Sequence, residues 1–311
     1  MTVAFAHKSV LLDESIDALN IKPDGVYVDA TFGRGGHSRA ILNKLGENGR
    51  LIALDRDIAA IESAQSFLSD PRFSIHHCAF ANLKVVISDL SYYGKVDGIL
   101  MDIGVSSPQL DDAQRGFSFQ KDGPLDMRMD TGSGLSAAQW LNCASLEEIA
   151  GVIKKYGEEK FGTRIAHAVI EQRAIKPLET TAEFALLIDQ AVPVKDKFKH
   201  PATRTFQGVR IFINGELKQL ELGLSESVDV LCKGGRLAVI SFHSLEDRMV
   251  KRFIKSKSQG HKYPNKLPIT QLMQDQGKQL KSLGKAIKPS ADEIQRNVRS
   301  RSSVLRVAEK L

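Results

Sequence analysis

Four short apolar runs in the first third of the chain constrain its fold more than any other feature. Each run is followed by a turn signal or an acidic residue, and helical periodicity fills the gaps between the runs, as in Ser38–Leu45 and Ile58–Leu68. The runs lie at Gly25–Thr31, Arg50–Asp55, Phe73–His77 and Val96–Asp102. Because repeated strand–helix–strand units join parallel strands, the pattern predicts an α/β fold with a doubly wound, mostly parallel sheet.

The strand signal then disappears for about a hundred residues. Ser145–Glu148 and Thr180–Glu183 have the pattern of capping boxes, and Glu158–Ala174 is a further helix candidate, so we predict an all-helical insertion. The insertion interrupts the α/β domain. The predicted division is a first part of the α/β domain at 1–109, the helical insertion at 110–208, and a second part of the α/β domain at 209–311.

The second part returns to an α/β pattern. A helical pattern at about Arg210–Leu231 leads into the apolar run Arg236–Phe242, and Ser244–Asp247 is predicted to cap another helix. Two late strand-like stretches, Leu280–Ile287 and Ser303–Val307, would complete the sheet as a hairpin-like edge.

A glycine-rich turn follows the first predicted strand. Its candidate cofactor-binding residues are Asp29, Gly33, Gly35, Gly36 and His37. Glycines at such a turn let backbone N–H groups approach a nucleotide closely. A dinucleotide fingerprint would require glycine at Ser38, and Asp29 would repel a pyrophosphate but attract the ammonium group of a cofactor that carries an amino acid. A tight turn without a ligand is the alternative.

Asp55 ends the second predicted strand, about twenty residues beyond Gly35, where an acid can hydrogen-bond ribose hydroxyls. The alternative is a helix N-cap acid before Ile58. The glycine turn with its preceding acid, followed by an acid on the second strand, resembles the class I (Rossmann-like) methyltransferase motif. This combination favours S-adenosylmethionine over a nicotinamide cofactor, and hence a methyltransferase over an oxidoreductase.

The fourth predicted strand ends in the candidate catalytic residues. In amino-methyltransferases this strand runs into an Asp/Asn/Ser-Pro-Pro-aromatic loop. Asp102 supplies the acid here, Ile103 and Gly104 replace the two prolines, and a displaced Ser107-Pro108 follows. The loop motif can thus be aligned on Asp102 or on Ser107-Pro108, and both are candidates for contact with the reacting base. The alternative is that Asp102 merely caps the next turn.

The chemistry of an exocyclic amine explains why an acid is needed at this strand end. The N4 lone pair of cytosine is delocalised into the ring, so acceptors aimed at its hydrogens would favour a pyramidal nitrogen and prepare it for in-line attack on a methyl group. Methylation at cytosine C5 needs a cysteine nucleophile instead. Cys78, Cys143 and Cys232 all lie away from this loop in the sequence, which argues against a C5 enzyme.

At these residues the sequence closely resembles the bacterial 16S ribosomal RNA cytosine-N4 methyltransferase (MraW/RsmH) family. The resemblance runs nearly from end to end. Its blocks are 7–14, 31–37, 104–111, 115–119, 123–129, 200–207 and 241–247. It implies methyl transfer from S-adenosylmethionine to N4 of a decoding-centre cytosine in 16S rRNA of the small ribosomal subunit, on a class I domain with a helical insertion. The cofactor contacts that it implies are Gly35, Gly36, His37, Asp55, Phe80, Asp102 and Gln109.

Charge suggests where an RNA would lie. The net charge of +6 is compatible with a polyanionic partner, although many enzymes share it. Basic residues crowd the return from the insertion together with Phe198 and Phe206, a mixture that suits phosphate contact and base stacking. The RNA-binding candidates are Lys197, Lys199, His200, Arg204 and Arg210, with Lys195 beside them. A solvated basic face is the alternative.

The remaining features set the cellular context and the competing functions. The scattered cysteines indicate a reducing compartment, and the chain has neither a signal-like start nor an apolar stretch that could cross a bilayer, so we expect a cytoplasmic protein with no membrane partner. No metal-ligand spacing is seen. A DNA amino-methyltransferase would share the same core. A non-catalytic RNA-binding or ribosome-assembly protein could also keep this fold.

Overall fold

The structure, a computed structural model, describes residues 9–194, 196–197, 199–260 and 275–311. The chain divides into two compact units. The α/β unit comprises the residues up to Gly104 together with Lys218–Leu311, and the helical unit comprises Val105–Leu217. The domain boundaries at 109/110 and 208/209 stay a prediction. Along the chain, one compact unit gives way to the other after Gly104 and after Leu217.

The described residues of the α/β unit form a sheet of seven strands. The strands are β1 Val26–Asp29, β2 Arg50–Asp55, β3 Phe73–His77, β4 Val96–Asp102, β5 Leu231–Ser241, β6 Leu280–Ser282 and β7 Val304–Lys310. Their order is β3-β2-β1-β4-β5-β7-β6. The pairs from β3 to β5 are parallel, and β7 runs antiparallel to both β5 and β6. The predicted doubly wound, mostly parallel α/β fold is confirmed.

The described helices, in chain order, are α1 Leu12–Leu19, α2 Gly36–Leu42, α3 Ile58–Ser63, α4 Leu83–Asp89, α5 Ser107–Asp111, α6 Ala137–Cys143, α7 Leu146–Gly157, α8 Gly162–Ile175, α9 Thr181–Ala191, α10 Ala202–Asn214, α11 Glu216–Val230, α12 Ser244–Ser258 and α13 Ala291–Arg296. In the parts of the chain that the structure describes, no helix is long and apolar enough to span a membrane.

Two hydrophobic cores cover the two faces of the sheet. Alternate residues of β2 illustrate this, since Ile52 and Leu54 belong to one buried cluster and Leu51 and Ala53 to the other. Side chains on successive strand residues point to opposite faces, so a strand buried on both sides is apolar throughout. This explains why the central strands appear in the sequence as continuous apolar runs.

The helical unit has a core of its own, which includes the buried side chains of Trp140, Ile153 and Phe184. Both predicted capping boxes form. The Ser145 hydroxyl accepts a hydrogen bond from the Glu148 N–H while the Glu148 carboxylate accepts one from the Ser145 N–H. Thr180 and Glu183 exchange the same pair of bonds. These bonds satisfy N–H groups that helix geometry leaves unpaired.

Three predicted helix limits are wrong. Glu158 has φ 51° and ends α7, so α8 begins only at Gly162 rather than at the predicted Glu158. The predicted helix Arg210–Leu231 is two helices, because Gly215 has φ 58° and ends α10. Left-handed backbone at such positions terminates a helix. The next helix is capped by His243 with Glu246, one residue before the predicted box at Ser244.

Candidate functional site

Three carboxylates converge at the carboxyl edge of the sheet. Asp29 pairs in register with Ala53 of β2 and with Leu100 of β4, so Asp55 and Asp102 each lie two residues beyond it on the neighbouring strands. Parallel strands end at the same edge, which is where doubly wound sheets place their ligands. The sheet therefore holds Asp55 and Asp102 at one level on either side of β1, with Asp29 below them.

Asp29 supports the glycine turn from beneath. Its side chain is fully buried, Oδ2 accepts a hydrogen bond from the Ser38 hydroxyl at 2.6 Å, and Oδ1 accepts one from the Thr31 N–H at 3.2 Å. Burial raises the pKa of Asp29 to about 6, against the lowering effect of these bonds. The residue that argued against a dinucleotide fingerprint, Ser38, is thus the hydrogen-bond partner of Asp29. The predicted contact between Asp29 and an ammonium group stays a prediction.

The glycine turn itself requires its glycines. Gly33 and Gly35 have left-handed backbone, with φ 56° and φ 74°. A Cβ at Gly35 would lie 2.5 Å from the Phe67 ring, and one at Gly36 would lie 2.1 Å from the Ser9 hydroxyl oxygen. A Cβ at Gly33 would meet no atom of the described residues within 4 Å. The loop is therefore closely packed at Gly35 and Gly36 and open at Gly33.

Asp55 ties β2 to this turn. Its Oδ2 accepts a hydrogen bond from the Gly33 N–H at 2.8 Å, and its Oδ1 accepts one from the Asp57 N–H at 2.8 Å. Burial raises the pKa of Asp55, while these two bonds oppose the rise. The helix N-cap before Ile58 is Asp57, whose side chain accepts a hydrogen bond from the Ala59 N–H. The N-cap role that was the alternative for Asp55 therefore belongs to Asp57.

Phe80 begins a short 3₁₀ turn after β3 and is partly buried against the core. Its ring lies close to Gly223 of α11, where a Cβ would come within 2.6 Å of Phe80 Cδ2. The backbone N–H of Cys78, two residues earlier, donates to the carbonyl of Asp55 at 2.9 Å. Phe80 is therefore held beside the end of β2. Gly223 was missed at the sequence level, where it looks like an ordinary helix position.

Asp102 lies beside His37 in a buried setting. His37 Nδ1 is 3.7 Å from Asp102 Oδ2, and His37 Nε2 is 3.1 Å from the carbonyl oxygen of Val10, which can only accept, so Nε2 carries a proton. Burial, with smaller contributions from the carboxylates of Asp29 and Glu246, raises the pKa of Asp102 to about 8.

Asp102 keeps acceptor capacity in this setting. Its backbone N–H donates to the Thr31 hydroxyl at 2.7 Å, which fixes the end of β4. The side chain is 24% exposed, yet Oδ1 is buried and finds no hydrogen-bond partner among the residues that the structure describes. Buried acceptors are normally paired, so this oxygen is a candidate for contact with a ligand.

His243 and Glu246 form a second buried pair at the same edge of the sheet. Glu246 is fully buried, its Oε2 accepts from the backbone N–H of Phe242 at 2.9 Å, and its Oε1 lies 3.0 Å from His243 Nε2. His243 Nδ1 accepts from the Glu246 N–H, so the neutral ring carries its proton on Nε2. The bonds from the Phe242 N–H to Glu246 and from the Glu246 N–H to His243 fix the turn from β5 into α12.

The second catalytic register lies in the helical unit. Ser107 and Pro108 open α5, and Gln109 closes a capping box in which its Oε1 accepts from the Ser106 N–H at 2.9 Å. Gln109 is 6% exposed. The structure thus brings Ser107, Pro108 and Gln109 together on one short helix, and their roles in catalysis and cofactor binding stay predictions.

The RNA-binding candidates also lie in the helical unit, and their environments differ. Lys197, Lys199, His200 and Arg204 are exposed. Arg210 instead donates from Nε and Nη2 to the two carboxylate oxygens of the buried Glu216, each at 2.9 Å. Its guanidinium is therefore already held within the unit. Lys195 and Phe198 lie outside the described residues.

Comparison with known proteins identifies the family of this chain. The model of the MraW methylase family matches residues 4–311. Two relatives, from Pseudoalteromonas atlantica and Alteromonas mediterranea, are named ribosomal RNA small subunit methyltransferase H. The first is 63% identical and covers 100% of both chains. The second is 65% identical and covers 99% of this chain and 98% of its own. The solved structure of an rRNA methylase from Streptococcus thermophilus is 14% identical, with a TM-score of 0.40 over 98% of this chain and 99% of its own.

Proposed function

Because this chain belongs to the MraW methylase family, we propose that it transfers the methyl group of S-adenosylmethionine to the N4 amine of a cytosine in 16S rRNA. The substrate cytosine lies at the decoding centre of the small ribosomal subunit. The observation that carries the proposal is Asp102 Oδ1, a buried acceptor without a partner among the described residues at the carboxyl edge of the sheet. The names of the two relatives support rRNA as the substrate.

The residues at the sheet edge fit S-adenosylmethionine. Asp29, Asp55 and Asp102 all have raised pKa values, because burial opposes their ionisation. A cationic ligand relieves that penalty, whereas a pyrophosphate would add to the negative charge. When bound, S-adenosylmethionine supplies an electrophilic methyl group on a positively charged sulfonium.

Each part of the cofactor has a matching group in the chain. Asp55 would accept from the ribose hydroxyls, since a carboxylate has about four acceptor positions and the backbone N–H groups of Gly33, Arg56 and Asp57 leave capacity for a further donor. Phe80 would stack on the adenine, fixed from behind by Gly223. Gly33, Gly35, Gly36 and His37 would bring the turn against the amino-acid part, with Asp29 beneath it. Gln109 stays a candidate cofactor contact.

Asp102 activates the amine in this proposal. Its carboxylate accepts a hydrogen bond from an N4 hydrogen, which localises the nitrogen lone pair toward the methyl group. As the N4–methyl bond forms and the methyl–sulfur bond breaks, the proton that N4 loses passes to Asp102, whose raised pKa suits it to hold that proton. Ser107 and Pro108 stay candidates for contact with the reacting base.

Thiol chemistry at the ring carbon is disfavoured. Cys78, which adjoins Asp55 in the α/β unit, is partly buried, and burial together with the Asp55 carboxylate raises the pKa of its thiol. The pKa of Cys232 is raised as well, by burial first and then by Asp97. A nucleophilic cysteine needs a lowered thiol pKa. These environments support transfer to N4 over transfer to C5.

The RNA would be held by Lys197, Lys199, His200 and Arg204, with Arg210 fixing the helix behind them through Glu216. A target base must also leave its stack, at a cost of a few kcal/mol, so an unpaired cytosine in folded rRNA is the favoured substrate.

The test uses labelled S-adenosylmethionine with unmethylated small subunits, naked rRNA and DNA, followed by identification of the modified nucleoside. We expect N4-methylcytidine from the rRNA of the subunit. Label recovered from DNA would replace the proposal with a DNA amino-methyltransferase. Cofactor binding without transfer to any of the three would point to a non-catalytic RNA-binding role.

A further inference from the structure

A cleft in the helical unit combines groups that suit a nucleobase. Its volume is about 210 Å³, below the roughly 300–1,000 Å³ of pockets that enclose a drug-sized ligand. The lining residues used below are Glu159, Lys160, Phe161, Lys199, His200 and Arg204. This size suits one planar ring rather than a whole cofactor.

Glu159 is a buried carboxylate in the wall of this cleft. It is 5% exposed, and its Oε1 accepts a hydrogen bond from the Phe161 N–H at 2.9 Å. Its Oε2 lies 3.8 Å from Arg204 Nη1, which is too long for a hydrogen bond. A carboxylate buried to this degree normally has several short partners. Glu159 thus presents an oxygen that can accept from a donor placed in the cleft.

The frame around Glu159 is rigid. Glu158 has left-handed backbone that ends α7 and turns the chain toward Glu159. Helix α7 approaches α10 so closely that a Cβ at Gly157 would lie 2.5 Å from the carbonyl oxygen of Arg204, and one at Gly208 would lie 2.7 Å from the backbone nitrogen of Gly157. Two glycines therefore fix the spacing between Glu159 and Arg204.

An aromatic series holds the other wall in place. The His200 ring lies 4.7 Å from the Phe119 ring, which contacts Phe206 at 5.0 Å, and Phe206 contacts the buried Phe184 at 5.3 Å. His200 Nδ1 accepts from the Ala202 N–H at 3.1 Å, so the neutral ring carries its proton on Nε2. The ring of His200 is thereby anchored to the core of the unit while the residue remains exposed.

We propose that this cleft binds one unpaired nucleobase of the RNA substrate through its exocyclic amine, with Glu159 Oε2 as the acceptor. Lys160, Lys199 and Arg204 neutralise the adjoining phosphates, and His200 faces the ring. Cytosine, adenine and guanine carry such an amine and uracil does not, so the cleft selects against uracil. The inference rests on RNA being the substrate, and it adds a base-reading site to the methyl-transfer site.

The experiment measures binding of short single-stranded RNAs of one base each, at one salt concentration, by fluorescence anisotropy. We expect the wild-type protein to bind oligo(C) and oligo(A) roughly tenfold more tightly than oligo(U), the size expected for one hydrogen bond to a charged acceptor. RNA built from N4,N4-dimethylcytosine, which has no amine hydrogen, should bind like oligo(U). This arm uses only wild-type protein and does not depend on the folding of a variant.

Variants show which residue causes the preference for oligo(C) over oligo(U). Glu159→Gln should reduce the ratio between oligo(C) and oligo(U) toward one, whereas Glu171→Gln, which makes the same exchange at an exposed position of α8, should leave it unchanged. Asp102→Ala should keep the ratio between oligo(A) and oligo(U), because the proposed methyl-transfer site takes cytosine and not adenine. Equal binding of oligo(C) and oligo(U) by wild-type protein, or a ratio between oligo(A) and oligo(U) lost in Asp102→Ala but kept in Glu159→Gln, would overturn the proposal.

A parallel methylation assay separates this inference from the proposed function. If wild-type protein forms N4-methylcytidine but shows no base preference, the cleft proposal fails and the function stands. If the preference is present and maps to Glu159 while no N4-methylcytidine forms, the function fails and the cleft proposal stands.

Discussion

Alanine at Gly35 and alanine at Gly33 should have unequal effects on stability, although the two glycines are two residues apart in one turn. Both have left-handed backbone, with φ 74° and φ 56°. At Gly35 the added Cβ would lie 2.5 Å from Phe67 and 2.8 Å from Phe32, whereas at Gly33 it would meet no described atom within 4 Å. The comparison therefore isolates packing from backbone conformation.

The magnitudes follow from these two observations. Left-handed backbone costs an L-residue about 1–2 kcal/mol, and both variants bear this cost. The Phe32 and Phe67 rings are buried and lie 5.2 Å apart, so a Cβ at Gly35 must displace a packed core, which typically adds about 1–3 kcal/mol. We expect the free energy of unfolding to fall by about 1–2 kcal/mol in Gly33→Ala and by about 2–5 kcal/mol in Gly35→Ala.

Urea denaturation without cofactor measures both values, and calorimetry then measures binding of S-adenosylmethionine. Gly33→Ala should remain folded yet bind more weakly, because its methyl group enters the open side of the turn. Equal destabilisation of the two variants would refute the packing argument. Unchanged cofactor binding in Gly33→Ala would refute the assignment of the open side to the ligand.

Three further predictions concern ionisation, ring position and capping. Asp102→Asn should raise the free energy of unfolding relative to wild type by more at pH 8 than at pH 4, as urea titrations at the two pH values would show. The unfolded carboxyl ionises near 3.8 and the folded one only near 8, so wild-type stability falls as pH rises between these values. In Gly223→Ala the added Cβ displaces Phe80. The variant should therefore lose more free energy of cofactor binding, measured by calorimetry, than free energy of unfolding. Ser145→Ala should cost about 1 kcal/mol in urea titrations, through loss of the bond to the Glu148 N–H.

The fold could be predicted from the sequence wherever local patterns decide the structure. β2, β3 and β4 begin and end at the predicted residues, because their apolar runs are bounded by turns and acids. The division at Gly215 was missed, since the helical periodicity continues through it and only the left-handed backbone ends α10. The shift of the cap to His243 was missed because histidine is a rare N-cap and Ser244 next to it is a common one.

The site could be predicted only in part, because some of its contacts join residues distant in sequence. Acids at strand ends are visible in the sequence, but the bond from Ser38 to Asp29 and the close approach of Gly223 to Phe80 depend on packing. Glu159 looks like one of several surface acids near the end of α7. Its burial results from the crossing of α7 and α10, which no local pattern reports.

The single-turnover rate of N4-methylcytidine formation in small-subunit rRNA tests the role of Asp102 most directly. Asp102→Ala should slow the reaction by about 10²–10⁴-fold, the range for loss of a general base. Asp89→Ala, the same exchange at an exposed position of α4, should leave the rate unchanged. An Asp102→Ala protein that binds the cofactor and methylates N4 at the wild-type rate would contradict the account.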